Sequence, residues 1–519
     1  MRISQPIFLA LIFCLQLVCP ARAALELKIG QNFPGSRYGN DSFATPPDAN
    51  GAIGPNHFVE LINGSFVVYD KYTGHRLRSS SDFTFWSNAG VTFPPNTDVS
   101  DPRVIFDPTV NRWFASSIDV GSLEVNNRAL IAVSNDASPT NGWKGFAFSA
   151  ASASTFADFP TLGVDSNGVY ISVLVFDSIG NSLNRISLFA IPKSDLVQST
   201  PSIARRNSFF NLQSSLRGFV AQPVIDFTSS GPGSLLGAPD NLSGNFIARS
   251  PITFDGNSFT LGAAVPITVP AYTYPINPTQ PDGTFESIDD GDARLSSFCY
   301  RLGHILYAAQ NVEIGDRAAI RWYKFNATDN TLIQSGIVSD TNLDLFYPSI
   351  AANMNGAVVL GFNGASTNTF VSAYAALGET VGNVTTFGKP ILLKAGVANL
   401  HLLEDSDGIS RFGDYSAMTP DPSDPNCFWT IQEYVSSANV WSTQIIQLQV
   451  APKLTTTFST NSLTLSWSTN VIGFNLESTT NLAATNAWSI DSSPLSFANG
   501  QNIVTIPTTN ALSLFRLRR

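Results

Sequence analysis

The sequence predicts an all-β chain: a seven-bladed β-propeller followed by a small β-sandwich. Three observations predict it. A β-hairpin pattern recurs at intervals of roughly 55 to 70 residues, a period typical of repeat architectures and, in a β chain, of propeller blades. Helical periodicity is almost absent, with Glu and Lys scarce. Charged residues are only 13% of the chain while 43% is hydrophobic, so Ser, Thr, Asn and Gly must cover the surface.

The clearest copy of the pattern is FPTLGVDSNGVYISVLVF, from Phe159 to Phe176. Pro160 opens an apolar run that ends at Val164. Asp165-Ser166-Asn167-Gly168 reads as a tight turn, with Gly168 expected at positive φ. Val169 to Phe176 is rich in β-branched and aromatic residues and reads as the returning strand.

Taken in order, residues 1–23 read as a secretory signal. Arg2 is the charged start, Ile7 to Val18 the apolar core, and Ala21-Arg22-Ala23 a small-x-small cleavage site. Residues 24–450 form the propeller region. Leu25-Glu26-Leu27-Lys28-Ile29 alternates like an edge strand. The repeats then follow at 46–70, 101–119, 159–176, 222–238, 292–310, 347–364 and 413–434. The first and fourth match least well, so a miscount would make six or eight blades. Strands between the hairpins (Ala129 to Val133, Ser187 to Ile191, Ala319 to Phe325, Thr369 to Ala375) bring each repeat to four. The last repeat lacks an outer strand after Gln444 to Val450, and residues 25–31 are expected to supply it and close the ring. Pro452 marks a boundary. Within 451–519, short alternating strands at Ser462 to Ser468, Gly473 to Ser478, Ala487 to Asp491, Ile503 to Ile506 and Ser513 to Leu517 suit a sandwich of fibronectin or immunoglobulin type, with Trp467 and Trp488 as core anchors.

The formal charge of -10 comes without any basic patch, which argues against a nucleic-acid partner and suits a neutral or cationic ligand. No run after the leader is long and apolar enough to span a membrane. Of four cysteines, Cys14 and Cys19 lie in the leader. Cys299 and Cys427 sit in repeats that should not be adjacent, so they are expected as buried, unpaired thiols. There is no CxxC, no paired histidines at metal spacing among His57, His75, His304 and His401, no Gly-x-Ser-x-Gly elbow and no phosphate loop.

The strings RFGDYSAMTPDPSDPNCFWTIQEY, DPRVIFDPTVNRWFASS and FPTLGVDSNGVYIS resemble secreted bacterial propeller proteins broadly akin to the sialidase-like superfamily, over roughly residues 46–450. The tail resembles C-terminal β-sandwich modules of secreted bacterial proteins, which implies export, surface attachment or carbohydrate contact. Sialidases usually carry Asp-boxes of the form Ser-x-Asp-x-Gly-x-Thr-Trp. None occurs, and SNDASPTNGW at 134–143 is the nearest string.

In a propeller the first strand of each blade lines the central channel, and ligands bind at its mouth. The repeat starts nominate Asp48, Asp101, Asp158, Asp292 and Asp414, with Arg103, Arg294 and Arg411 nearby. Asp101-Pro102-Arg103 and Asp292-Ala293-Arg294 are expected at equivalent places. The arginines could clamp a carboxylate, and two of the aspartates could act as a glycosidase pair. The superfamily resemblance would add Tyr415, beside Asp414, as a nucleophile. The bland alternative is that Asp and Arg neutralise one another and cap strand ends. Calcium is the one cofactor considered, with Asp405 and Asp407 the favoured ligands; Asp289-Asp290-Gly291-Asp292 and Asp165-Ser166-Asn167-Gly168 have the same oxygen-rich character. Trp86, Trp143, Trp322 and Trp441 could stack on sugars or pack between blades. The leading expectation is a binding or adhesion protein for an extracellular glycan or protein. A glycoside hydrolase or lyase is the alternative, and a purely structural surface component the third.

Overall fold

The computed structural model describes residues 25–121, 126–152, 154–228, 231–240, 242–283, 287–403, 405, 407–481, 487–508 and 513–519. The expected signal segment lies outside the described residues. The chain divides into two compact units, Glu26–Ala451 and a C-terminal unit beginning at Pro452. Among the described residues no helix is long and apolar enough to cross a membrane.

The larger unit is all-β and, among the described residues, holds seven sheets. The first runs Gly51–Ile53, His57–Ile62, Ser65–Asp70, Arg76–Ser80. The second runs Thr97–Asp107, Arg112–Gly121, Arg128–Ser134, Trp143–Ser149, and the third Phe156–Val164, Gly168–Phe176, Ser182–Pro192, Asn207–Gln213. Further on, Asp344–Ala352, Ala357–Ser366 and Thr369–Val381 begin the sixth. Ala417–Pro420, Cys427–Ser437 and Val440–Pro452 begin the seventh, and Leu25–Arg37 from the start of the chain adds to it as its outer strand.

The fourth and fifth sheets break the pattern. Ala221–Pro223 pairs with Gly233–Gly237, but Ile225–Asp226 leaves that sheet and pairs in parallel with Tyr300–Leu302 of the next. The expected hairpin at 292–310 is therefore only half present. Its strands are Tyr300–Leu302 and Ile305–Glu313, and its innermost strand is borrowed from the preceding repeat.

First strands of successive sheets are neighbours. Gly51–Ile53 lies against Thr97–Asp107, which lies against Phe156–Val164, which lies against Ala221–Pro223; Asp344–Ala352 lies against Ala417–Pro420, which returns to Gly51–Ile53. The inner strands are covered on both faces and read as unbroken apolar runs, whereas outer strands such as Arg76–Ser80 are mostly exposed. Val169 to Val175 is buried throughout. The cores lie between sheets: Val59, Leu61 and Phe66 of the first pack with Val104, Phe106 and Trp113 of the second. Each large side chain withdrawn from water there contributes about 1.5–3 kcal/mol.

The turn after the first strand repeats a detail that the hairpin pattern does not announce. Asp107, Asp165, Asp226, Asn353 and Asp421 each accept the backbone N–H two residues on, at 2.8–3.0 Å. Gly168 is a correction: it does not take positive φ. It is required by space instead, since a Cβ there would sit 2.7 Å from the Tyr170 ring and 2.8 Å from that of Phe259.

The C-terminal unit contains two antiparallel sheets: Thr455–Ser459, Ser462–Ser468, Gln501–Pro507, Leu495–Ala498, and Ser489–Ile490, Asn475–Thr479, Leu514–Arg518. Trp467 is buried with Leu465, Leu476 and Val504. Trp488 is only half-buried, covered by the Arg516 guanidinium 4.2 Å from its ring centre, because it lies just before a two-residue strand at the edge of its sheet.

Candidate ligand cleft

An open cleft of about 960 Å³ lies where several first strands begin. Asp48, Asp101, Asp158, Arg411 and Asp414 line it, with Asn63, Asp82 and Ser100. The strands reach it through a shared distortion. Pairing slips between Ser100 and Arg103, between Asp158 and Thr161, and between Phe346 and Ser349. At each slip a residue before a proline adopts the left-handed conformation: Asp101 (φ 57°), Phe159 (φ 50°) and Tyr347 (φ 49°). For an aromatic residue that conformation is an outlier, held only by the surrounding structure. Bulges of this kind re-aim side chains at the end of a sheet.

The register also shows that Asp101 corresponds to Phe159, so Asp158 precedes the bulge. Its carboxyl is hydrogen-bonded to that of Asp101. Burial, reinforced by the charge of Asp101 and that shared bond, pushes Asp158 well above the usual carboxylate range. Asp101 is further tied by Ser100 Oγ (2.8 Å) and by the Phe159 N–H (3.0 Å).

Asn63 joins two of the sheets. Its amide donates to Asp48 (3.0 Å) and its carbonyl accepts the Asp101 N–H (2.8 Å). Asp48 is 1% exposed, and its Oδ1 has no hydrogen-bond partner. Burial first, then Asp414 and Asp101, raise its pKa strongly. Asp82, at the start of the helix Asp82–Asn88, accepts the N–H groups of Gly64 (2.8 Å) and Phe83 (2.7 Å), and burial pushes it up to about 7. Arg411 binds Asp414 (3.0 Å) and Asp289, so the cation that lines the cleft is already compensated.

Several expected roles are corrected by this geometry. Arg103 does not line the cleft: it is fully buried, with its guanidinium carbon 3.2 Å from the centre of the Tyr415 ring, and its Nε donates to Pro160 O at 3.2 Å. Arg294 is spent on Asp292, with Nε and Nη2 at 2.7 and 2.6 Å. The two Asp-x-Arg strings are therefore not equivalent, because 292–294 lie outside any strand while Asp101 to Arg103 form a bulge. The three arginines thus form no clamp facing the cleft. Asp292 lies in a separate small cavity. Tyr415 is unsuited to be a nucleophile: its hydroxyl donates to Pro102 O (3.1 Å), it is buried, and burial raises its pKa strongly.

Asp405 and Asp407 form a turn rather than converging. Asp405 Oδ1 accepts the N–H groups of Asp407 (2.9 Å) and Ile409 (3.0 Å). Among the described residues no three His, Cys, Asp or Glu are grouped to hold a metal. Trp86, Trp322 and Trp441 are buried, and the Nε1 groups of Trp86 and Trp441 are bonded internally to Ser117 Oγ and Ala44 O. Trp143 is half-buried beside Phe66 and Phe85 in a crevice of about 60 Å³. Cys299 and Cys427 are buried and not joined in a disulfide, and the Cys427 thiol donates to Asp424 Oδ2 at 3.1 Å.

Asn63 and Asp82 are not recognisable as site residues from the sequence. Asn63-Gly64 has ordinary hairpin-turn chemistry, and Asp82 lies between repeats in no recurring motif. Neither string carries a signal that its side chain reaches a neighbouring sheet.

No protein-family model matches the chain, and no curated protein matches it. Solved structures similar to it include a Trypanosoma rangeli sialidase bound to 2,3-difluorosialic acid, at 11% identity and a TM-score of 0.31, covering 67% of this chain and 53% of the sialidase. This chain thus spans about half the length of that enzyme. A Fusarium graminearum α-L-arabinofuranosidase bound to an iminosugar inhibitor has 7% identity and a TM-score of 0.39, covering 80% and 98%. A Dyadobacter fermentans protein of unknown function has 12% identity and a TM-score of 0.30, covering 70% and 97%. At these scores the likeness says nothing of the chemistry of this chain.

Proposed function

We propose that this chain is an exported, seven-bladed propeller closed by its N-terminal strand, with a small C-terminal β-sandwich, and that its acidic cleft binds a neutral or amino-bearing saccharide. The observation that carries the reading is the gathering of Asp48, Asp101, Asp158 and Asp414 around one opening, with Asp48 Oδ1 left unpartnered. Carboxylates are strong acceptors for sugar hydroxyls and ammonium groups. Phe43, 78% exposed, and Phe83 offer apolar faces on the same cleft. An anionic sugar fits poorly, since its carboxylate would face aspartates without a free guanidinium.

The second reading is a glycoside hydrolase. It is favoured by Asp158, whose carboxyl pKa is pushed up by burial and by the neighbouring Asp101, which keeps an acid available beside other carboxylates. That pair is in direct contact, closer than the roughly 5 Å or more that separates glycosidase carboxyls, so one of the two would have to work with Asp48 or Asp414.

The test is a glycan array on the full chain, sorted into neutral, amino-bearing and acidic sugars, with hydrolysis of each bound glycan followed in parallel. Binding of the first two classes, lost in Asp48→Asn plus Asp414→Asn without product formation, is the expected result. Turnover abolished by Asp101→Asn moves the hydrolase reading first. Preference for acidic glycans overturns the cleft assignment.

A further inference from the structure

A second, smaller cavity of about 10 Å³ lies beside the cleft, room for a single water or a dehydrated ion. It is walled by oxygen donors. Asp290 is 1% exposed and neither of its carboxylate oxygens has a hydrogen-bond partner. Asn311 is buried and donates its amide to the Asp290 carbonyl (2.9 Å), which leaves its own Oδ1 unpartnered. Ser296 and Asp414 complete the oxygen-bearing wall. The cation that lines it, Arg294, is turned onto Asp292 and stacked 4.6 Å over the Phe159 ring.

An unpaired carboxylate enclosed in this way is costly. Two unpartnered side chains from segments about twenty residues apart, Asp290 and Asn311, share one water-sized space, and the donors left unspent on them are oxygens. We infer that this cavity is a site for a single calcium ion, held by Asp290 and Asn311, with Ser296 and the arginine-bound Asp414 contributing oxygens around them. Calcium accepts irregular sets of oxygen ligands, including amide and backbone carbonyls, whereas magnesium keeps several waters that a space of this size excludes. Of the three aspartates that line the cavity, Asp292 is bound by Arg294 and Asp414 by Arg411, which leaves Asp290 as the one carboxylate without a cation, so the affinity falls in the weak range of extracellular calcium modules. The site does not require the cleft to bind anything.

The test uses the full chain stripped with a chelator and titrated with terbium. The Tyr347 ring lines the cavity and serves as the antenna. The expected result is saturable emission from one site, displaced by calcium and not by magnesium or sodium. Asp290→Asn weakens binding at least tenfold, while Asp405→Asn plus Asp407→Asn leaves it unchanged. Tyr347→Phe keeps calcium binding by calorimetry but loses most of the emission, and it decides the matter should Asp290→Asn fail to fold. Absence of saturable emission from the wild-type protein, unchanged affinity in a folded Asp290→Asn, full emission from Tyr347→Phe, or loss of binding in the 405/407 variant each overturns the assignment. No saccharide enters the assay, so its outcome is independent of the cleft reading.

Discussion

At one end of the first strands, buried aspartates are fully engaged. Asp107 receives Lys193 at 2.8 Å and Asp421 receives Lys71 at 2.7 Å, while each also accepts a turn N–H. Asp226 faces Arg301 at 3.6 Å. At the other end, Asp48 and Asp101 are buried and Asp158 half-buried, but they face one another, with Asn63 and Ser100 as neutral partners. One residue type thus performs opposite tasks a strand-length apart. Where a carboxylate is matched by a cation and a turn, it fixes the chain. Where carboxylates are gathered without enough cations, the fold carries an electrostatic cost that only a ligand, or a proton, relieves.

The largest expected break in this comparison is at the engaged end. Lys193→Ala leaves Asp107 charged and enclosed, and the loss is about 3–5 kcal/mol by chemical denaturation. The next is the pH profile. Asp48, Asp158 and Asp82 all have folded pKa values above the unfolded one. The folded state therefore holds extra protons between the two values, and stability falls as pH rises through that window. For Asp82 the window runs from about 4, the unfolded value, to about 7. The fall is on the order of a few kcal/mol, since each pH unit between the folded and unfolded values is worth about 1.4 kcal/mol. Thermal denaturation across pH 4–8 measures it, and a flat or rising profile contradicts the reading of the gathered end.

Asn63→Ala removes a donor from Asp48 and an acceptor from the Asp101 N–H at once, and is expected to cost about 1–3 kcal/mol. Asp48→Asn sharpens the contrast from the other direction. It removes a charge that burial and two like charges disfavour, so at pH 8 stability is unchanged or higher by about 1 kcal/mol, while saccharide binding is lost. Such a variant also flattens the pH profile. The smallest effect is at Asp405→Asn, where an asparagine still accepts the turn N–H groups; denaturation should move by less than about 0.5 kcal/mol.

Much of the fold was legible because it is local. Hairpins such as Phe159 to Phe176 announce themselves through turn residues between β-branched runs, and their spacing announces repetition. The Asp-x-Thr and Asp-x-Ser steps at Asp107, Asp226 and Asp421 became recognisable only from the turn geometry, because such short steps carry no chemistry that marks them. The swapped strand Ile225–Asp226 was not legible. Two residues hold no periodicity, and their parallel partner Tyr300–Leu302 lies more than seventy residues away.

By itself the sequence determined an all-β chain, the position of most strands, and which aspartates stand at the repeat starts, because alternation, turn chemistry and period act over a few residues. Only the tertiary structure decided which of those aspartates share an opening. The same holds for Arg103 and Tyr415 stacking beneath it rather than acting in it, for Asn63 and Asp82 belonging to it, and for Asp290 and Asn311 enclosing a cavity. The physical reason is that desolvation and Coulomb interaction depend on distance in space. That distance is set by how sheets far apart in sequence pack against one another.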